Sequence, residues 1–350
     1  MIFTLLQAQR LATPDRHSQS CIFQLNVKVR FVSAVLGGMV PPASVFTRIT
    51  PNDKIQMDGR ATPEWRAKLR KIPNLRNAIS VVSVYAQAGA IFWVALVVNN
   101  PLVYVAAFLM IGRTHAQLLA LMHEAAHRLL FSNHRLNDFV GRWIVGYPSF
   151  TNTDGYRRVH MAHHRQEFGP TEPDIPLYAN YPITRASFWR KMRRDAFGRT
   201  GGPMLLNQLR DALRRDPQGF YTQRKIFALH LVAFVASATL VNPYIYVFLW
   251  LMPYLTVWRV MNRLRSIAEH GGLRSDDDRR VTTHSVRQHL LSRFYFVPFN
   301  LGMHIAHHLD SGIPFRSLRR YHEQLRLTGV VTDAYEYPNY RSLWRSLRSA

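Results

Sequence analysis

Residues 77–111 read NAISVVSVYAQAGAIFWVALVVNNPLVYVAAFLMI, a run without one Asp, Glu, Lys or Arg. A second such run covers residues 226–258. A bilayer hydrocarbon core about 30 Å thick is crossed by about 20 helical residues rising about 1.5 Å each. Each run is therefore too long for one crossing and suits two. Asn99-Asn100-Pro101 breaks the first run near its centre and Asn242-Pro243 breaks the second, and both are turn-forming combinations. The expected fold is an all-α integral membrane protein with four transmembrane helices in two hairpins.

Positive charge gathers just outside these runs. Arg66, Lys68, Arg70, Lys71 and Arg76 precede the first and Arg113 follows it; Arg224 and Lys225 precede the second, and Arg259, Arg263 and Arg265 follow it. The hairpin tips carry no charge. By the positive-inside rule both termini and residues 128–225 are expected in the cytoplasm, with only the tips on the far side. This placement accounts for a net charge of +24 among 350 residues without a nucleic-acid partner. A composition of 47% hydrophobic and 12% aromatic residues excludes a disordered polyelectrolyte. Cys21, the single cysteine, excludes a disulfide framework and cysteine-rich zinc or iron–sulfur sites. Any metal chemistry falls to the 16 histidines.

The histidines divide the chain. His123 and His127 stand in HEAAH at the end of the helix that starts at Pro101, and His270 stands at the end of the helix that starts at Pro243. Each of these helices is roughly 40 Å long, so each overshoots the hydrocarbon by about 10 Å and brings its imidazoles to the same layer. His160, His163 and His164 follow in HMAHH, and His304, His307 and His308 in HIAHH. Positions i, i+3 and i+4 share one helical face, so each cluster is expected to aim its rings at a common centre. Nine imidazoles exceed what one zinc ion takes and suit two metal ions. Imidazole serves iron, copper, nickel and zinc alike, so the donors alone leave the metal open. A histidine centre facing a membrane suggests a lipid or acyl-chain substrate, whose methylenes offer no acid, base or electrophile and yield only to activated oxygen.

The expected organisation is a poorly ordered extension (1–56), a basic pre-helix segment (57–77), hairpin one with HEAAH (78–127), and a cytoplasmic segment with HMAHH (128–225). Hairpin two with His270 (226–270) and a cytoplasmic segment with HIAHH (271–350) follow. Together the cytoplasmic parts form a helical cap holding the histidine-rich site.

HEAAH, HMAHH and HIAHH in this order resemble the three boxes, HxxxH, HxxHH and HxxHH, of the membrane fatty acid desaturase and hydroxylase superfamily. LLFSNHRLND after the first box, TEPD (171–174) after the second and HHLDSGIPFRSL from the third extend the resemblance over roughly residues 76–325. The resemblance implies two iron ions held by the box histidines plus His270. It also implies an oxygen-dependent oxidoreductase of lipid metabolism, inserting a C=C bond or, alternatively, acting as a hydroxylase or ketolase. The acyl-CoA members use an asparagine four residues before the additional histidine; here Ser266 occupies that place, which leaves Asn262 and Asn300 as possible tenth ligands. No HPGG haem signature is present, so the resemblance implies a separate electron donor of ferredoxin, rubredoxin or cytochrome b5 type. The basic face suits an acidic carrier.

HEAAH also fits HExxH, the zinc protease pattern in which the glutamate activates water. That reading leaves both HxxHH clusters unexplained. Glu124 is instead expected to accept a ring N–H from a ligand histidine, with Asp174 and Glu269 acting likewise. His115 is expected at the membrane boundary, His230 to hydrogen-bond a neighbouring helix, and His17, His284, His289 and His322 to be solvated.

Overall fold

A computed structural model describes residues 35–169, 172, 174–213 and 220–349. Among them the chain is all helical, with no β-strand beyond two isolated bridges. A short helix α1 (Pro63–Leu69) leads into α2 (Asn74–Val98) and α3 (Pro101–Ala126), which are joined by two residues. The turn has the features its sequence implies. Asn99 takes a left-handed φ of 45°, the Asn100 side chain accepts from Leu102 N, and Pro101 opens α3, where its missing N–H costs nothing.

Next come α4 (Thr153–Arg165), α5 (Arg185–Ala196), α6 (Gly201–Leu213), α7 (Phe220–Leu240) and a long rod α8 (Pro243–His270). The Asn242 side chain accepts from Tyr244 N and Pro243 starts the rod, repeating the turn at Asn100. This rod is not one regular helix. It widens to π-type bonding over Val247–Leu251, contains Pro253, and breaks at Thr256 with φ −123° and ψ −78° before resuming as Val257–His270. Proline removes a backbone donor and crowds the preceding turn, which explains the irregularity there. The chain closes with α9 (His304–Leu309), α10 (Phe315–Leu327) and α11 (Tyr340–Ser346).

Among the described residues three helices, α2, α3 and α8, are long and apolar enough to cross a membrane. Only 22% of the apolar window of α2 is buried within the protein, against 72% for α3, so α3 is the inner helix and α2 faces outward. The expected fourth span, α7, has the length at 21 residues, but its first turns carry Gln223, Arg224 and Lys225 and its middle carries His230.

Residues 35–56 depart from the expected disorder. Met39 N donates to Gly272 O at 2.8 Å, Thr50 N donates to Thr328 O at 2.9 Å, and Ile55 is fully buried. Residues 1–34 of that extension, including Cys21 and His17, lie outside the described residues. The pre-helix segment is likewise built in. Arg66 of α1 reaches both carboxylate oxygens of Asp310, two residues after the third histidine box, and Trp65 and Leu69 are buried.

Candidate metal centre

The histidine motifs meet in one layer because helix ends converge there. HEAAH closes α3, HMAHH forms the last turns of α4, His270 closes α8, and HIAHH is α9 itself. Local sequence makes these approaches possible. A β-carbon on Gly141 would stand 2.7 Å from the Ala125 Cβ, so glycine lets the π-type turn Val140–Gly146 press against the end of α3. The Thr153 hydroxyl donates to the Gly141 carbonyl at 2.7 Å and ties the start of α4 to the same turn. After His270, Gly272 adopts φ +73° with its Cα against Met39 and the Tyr181 carbonyl, leaving no room for a side chain.

All nine expected histidines come together, but they do not share one centre. Ligand atoms of His123, His127, His160, His164 and His307 lie within 4.8 Å of one another, and those of His163, His270 and His308 form a second group on the same criterion. His304 joins the second group, its Nε2 being 3.0 Å from His270 Nε2. The expectation of one common centre per box is therefore corrected. HMAHH sends His160 and His164 to one group and His163 to the other, and HIAHH sends His307 to the first and His308 to the second, while His164 and His308 also meet each other and Glu167 in a third group where the two adjoin. Successive helical residues point about 100° apart, so neighbouring histidines face different centres.

The donor set fits metal ions. Both ring nitrogens of His123, Nδ1 of His160, and Nε2 of His307 and His308 are buried without any hydrogen-bond partner. Nε2 of His160 lies 2.9 Å from His127 Nε2 and 3.0 Å from His164 Nε2, and a single proton cannot serve both contacts. Orphaned buried polar atoms are costly, and a cation between converging lone pairs removes that cost. Burial first and neighbouring imidazoles second hold His160, His164, His304, His307 and His308 well below the ordinary imidazole pKa. Burial thus favours the neutral form of these rings, the form that ligation requires.

The outer nitrogens are held by groups that sequence reading mostly missed. His163 Nδ1 lies 2.6 Å from Glu172 Oε1, His308 Nδ1 hydrogen-bonds Glu167 Oε1, and His270 Nδ1 donates to Thr282 O at 2.8 Å. Burial opposes the charge on His163, yet the Glu172 carboxylate outweighs it and raises that pKa. Arg279 lies 2.8 Å from Glu167, whose own pKa burial nevertheless pushes upward. Glu167 and Glu172 follow the second box in an irregular segment, where spacing carries no periodic signal.

Of the expected supporting carboxylates, Glu269 lies 3.5 Å from His304 Nδ1 and accepts from Arg265 Nε at 2.6 Å. Glu124 differs from its expected role, since its Oε1 accepts the backbone N–H of Phe315 at 2.9 Å. Asp174 is buried beside the start of the short helix Ile175–Tyr178; Thr171 and Pro173 of the same motif lie outside the described residues. Asn300 donates its side-chain amide to the Phe315 carbonyl at 3.2 Å, and the backbone carbonyl of Asn262 accepts from the Ser266 hydroxyl at 2.8 Å.

His230 bonds neighbouring elements as expected, through Tyr147 O at 2.9 Å and the Tyr246 hydroxyl at 2.7 Å. His115 is fully buried between Ser149 and the Trp250 carbonyl rather than at a boundary. His284 and His322, expected in solvent, are buried against the Gly271 carbonyl and Glu336.

The family model for fatty acid desaturases matches residues 99–342. The chain is also similar to a dihydrorhizobitoxine desaturase of Bradyrhizobium elkanii, with 28% identity over 271 residues, covering 71% of this chain and 74% of that protein. That match takes in all three histidine boxes and well over half of the sequence, and the protein belongs to the fatty acid desaturase family.

Proposed function

We propose that this protein is a membrane-bound di-iron desaturase that introduces a C=C bond into an acyl chain, using O2 and two electrons from a separate carrier. The observation that carries the reading is the convergence of nine histidines in two adjoining groups, with buried, unpartnered ring nitrogens on His123, His160, His307 and His308. His123, His127, His160, His164 and His307 would hold one ion, and His163, His270, His304 and His308 the other. Bound there, two iron ions would supply the activation of O2 toward an unreactive C–H bond.

The chain's own residues position and insulate. Glu172, Glu167 and the Thr282 carbonyl hold the outer nitrogens of His163, His308 and His270, which fixes which nitrogen faces inward. Every box histidine except His127 and His164 is buried, which keeps bulk water from the oxidising centre. Desaturation turns one O2, two substrate hydrogens, two electrons and two protons into two waters. With one cysteine and no haem signature the electrons come from a partner of ferredoxin, rubredoxin or cytochrome b5 type.

In this reading α7 is the fourth span, paired with α8, and α2 pairs with α3. Both termini and the cap lie on the cytoplasmic side, where the basic residues of 66–76, 224–225 and 259–265 stand. Desaturation is favoured over the hydroxylase and ketolase alternative by the family and by the relative's name. That relative's name gives dihydrorhizobitoxine as its own substrate; we assign this chain an acyl substrate because its site caps membrane helices. The HExxH protease reading is disfavoured by Glu124, whose carboxylate is engaged with Phe315 N instead of standing free to activate water.

The test is lipid analysis of cells expressing the protein with a ferredoxin or cytochrome b5 system. New unsaturated chains that vanish in His164→Ala support the proposal. New hydroxylated chains would favour the alternative, and no lipid change with loss of a cleaved membrane peptide in Glu124→Ala would favour the protease.

A further inference from the structure

Between Arg287 and Asp310 the chain carries a single charge, Arg293, and the segment FYFVPFN (294–300) leads straight into the third box. Such a stretch is too short to cross a bilayer, and apolar stretches below span length are characteristic of buried, interfacial or re-entrant segments. The structure discriminates among these. The short helix Leu290–Tyr295 leaves Leu290 82% and Leu291 73% exposed, with Phe294 at 49%, so it is not a buried core element.

Its level along the spans follows from three contacts. The Tyr295 hydroxyl donates to the Leu109 carbonyl at 3.1 Å, and Arg113 Nε donates to the Phe294 carbonyl at 2.6 Å with its guanidinium 4.0 Å above the Phe294 ring. Arg113 Nη1 in turn donates to Gln87 Oε1 at 2.9 Å. Gln87 precedes the end of α2 at Val98 by eleven residues, which is about 16 Å of helix. Past Leu75 and the charged Arg76, the outward apolar residues of α2 run from Ile79 to Val98, about 28 Å, close to the full hydrocarbon thickness. Leu290–Tyr295 thus sits about halfway along that apolar face. Arg113 has no carboxylate partner among the described residues, and a cation placed there and spent on a carbonyl, a ring and two glutamines makes sense as a pin for this segment.

We propose that the helix Leu290–Tyr295 is a membrane-dipping wedge, seated in the leaflet on the histidine side and presenting Leu290, Leu291 and Phe294 to lipid acyl chains. It joins a lipid-contacting surface to His304 through the eight residues 296–303. The occupant of this surface is the hydrocarbon of the bilayer, because the patch continues the exposed apolar face of the α2–α3 pair. The proposal rests on those helices being spans, and the experiment separates the two claims.

The single native cysteine makes labelling clean. In a Cys21→Ser background, nitroxide is attached at Leu291→Cys, Leu290→Cys, Val94→Cys on α2 and Glu323→Cys on α10, in full-length protein reconstituted into phosphatidylcholine vesicles. Iron content confirms that each variant is folded. The ratio of collision rates with oxygen to those with a water-soluble nickel chelate is expected to be several-fold higher at 290, 291 and 94 than at 323. A water-like ratio at both 290 and 291 with a lipid-like ratio at 94 overturns the wedge and leaves the spans standing. A water-like ratio at 94 as well overturns the spans and the wedge together.

Discussion

His163 and Glu172 form a buried pair, Nδ1 to Oε1 at 2.6 Å, in which a carboxylate from an irregular segment fixes one ring of the second histidine group. The other Glu172 oxygen accepts the Phe168 N–H, so the carboxylate is itself held in place. Removing an outer partner of a metal-bound imidazole costs about 10- to 100-fold in metal affinity or activity. Glu172→Ala is expected to lose that much iron affinity, and Glu172→Gln, which keeps an acceptor, to recover part of it. Elemental analysis after competition with a chelator reads this directly, and unchanged retention in Glu172→Ala would remove the role.

Wild-type protein is expected to hold two irons per chain, whereas alanine at His127, His164, His270 or His308 abolishes turnover and lowers iron content while the protein still inserts. Glu124→Ala leaves the buried Phe315 N–H without its acceptor, a stability loss of about 1–3 kcal/mol, with turnover largely kept. Iron analysis, lipid oxidation and melting of the same preparations give the result. A dead Glu124→Ala beside fully active His164→Ala and His308→Ala would sink the di-iron reading.

Truncation through residue 56 is expected to destabilise the site. It removes the bond from Met39 N to the Gly272 carbonyl two residues past His270, the bond from Gly37 N to Leu273 O, and the buried Ile55. Each hydrogen bond contributes about 0.5–1.5 kcal/mol and burial of Ile adds about 1.5–3 kcal/mol, so the loss is on the order of several kcal/mol. A truncation lacking residues 1–56 that melts and binds iron like the full chain would refute this.

Apo-protein is expected to lose stability on acidification. His284 is held at about 4 by burial, and His160, His164, His304, His307 and His308 well below the ordinary value. The unfolded chain therefore binds more protons than the folded one once pH falls below about 6.5. Stability present above that pH is lost as pH drops through it. His163, with its raised pKa, and Glu167, pushed up by burial, work in the opposite direction but are two groups against six. Melting of chelator-treated protein should fall between pH 7.5 and pH 5.5, and a rise would contradict the assignment of neutral buried rings.

The sequence by itself determined the helical class, the turns at Asn100 and Asn242, and the identity of all nine converging histidines. Those features are local: charge-free runs, turn residues, and spacings of three and four that a helix converts into a shared face. Tertiary structure alone decided how the nine divide. His163 and His164 are adjacent in sequence yet meet different sets of histidines, sharing only His308, because a helix turns them about 100° apart and only the packing of α3, α8 and α9 around α4 determines what each ring meets. The same holds for Glu167 and Glu172, for the Arg66 grip on Asp310, and for the order of residues 35–56. Each depends on contacts between residues far apart in the chain or in loops without a period, and no local pattern announces which distant backbone will close over a buried ring.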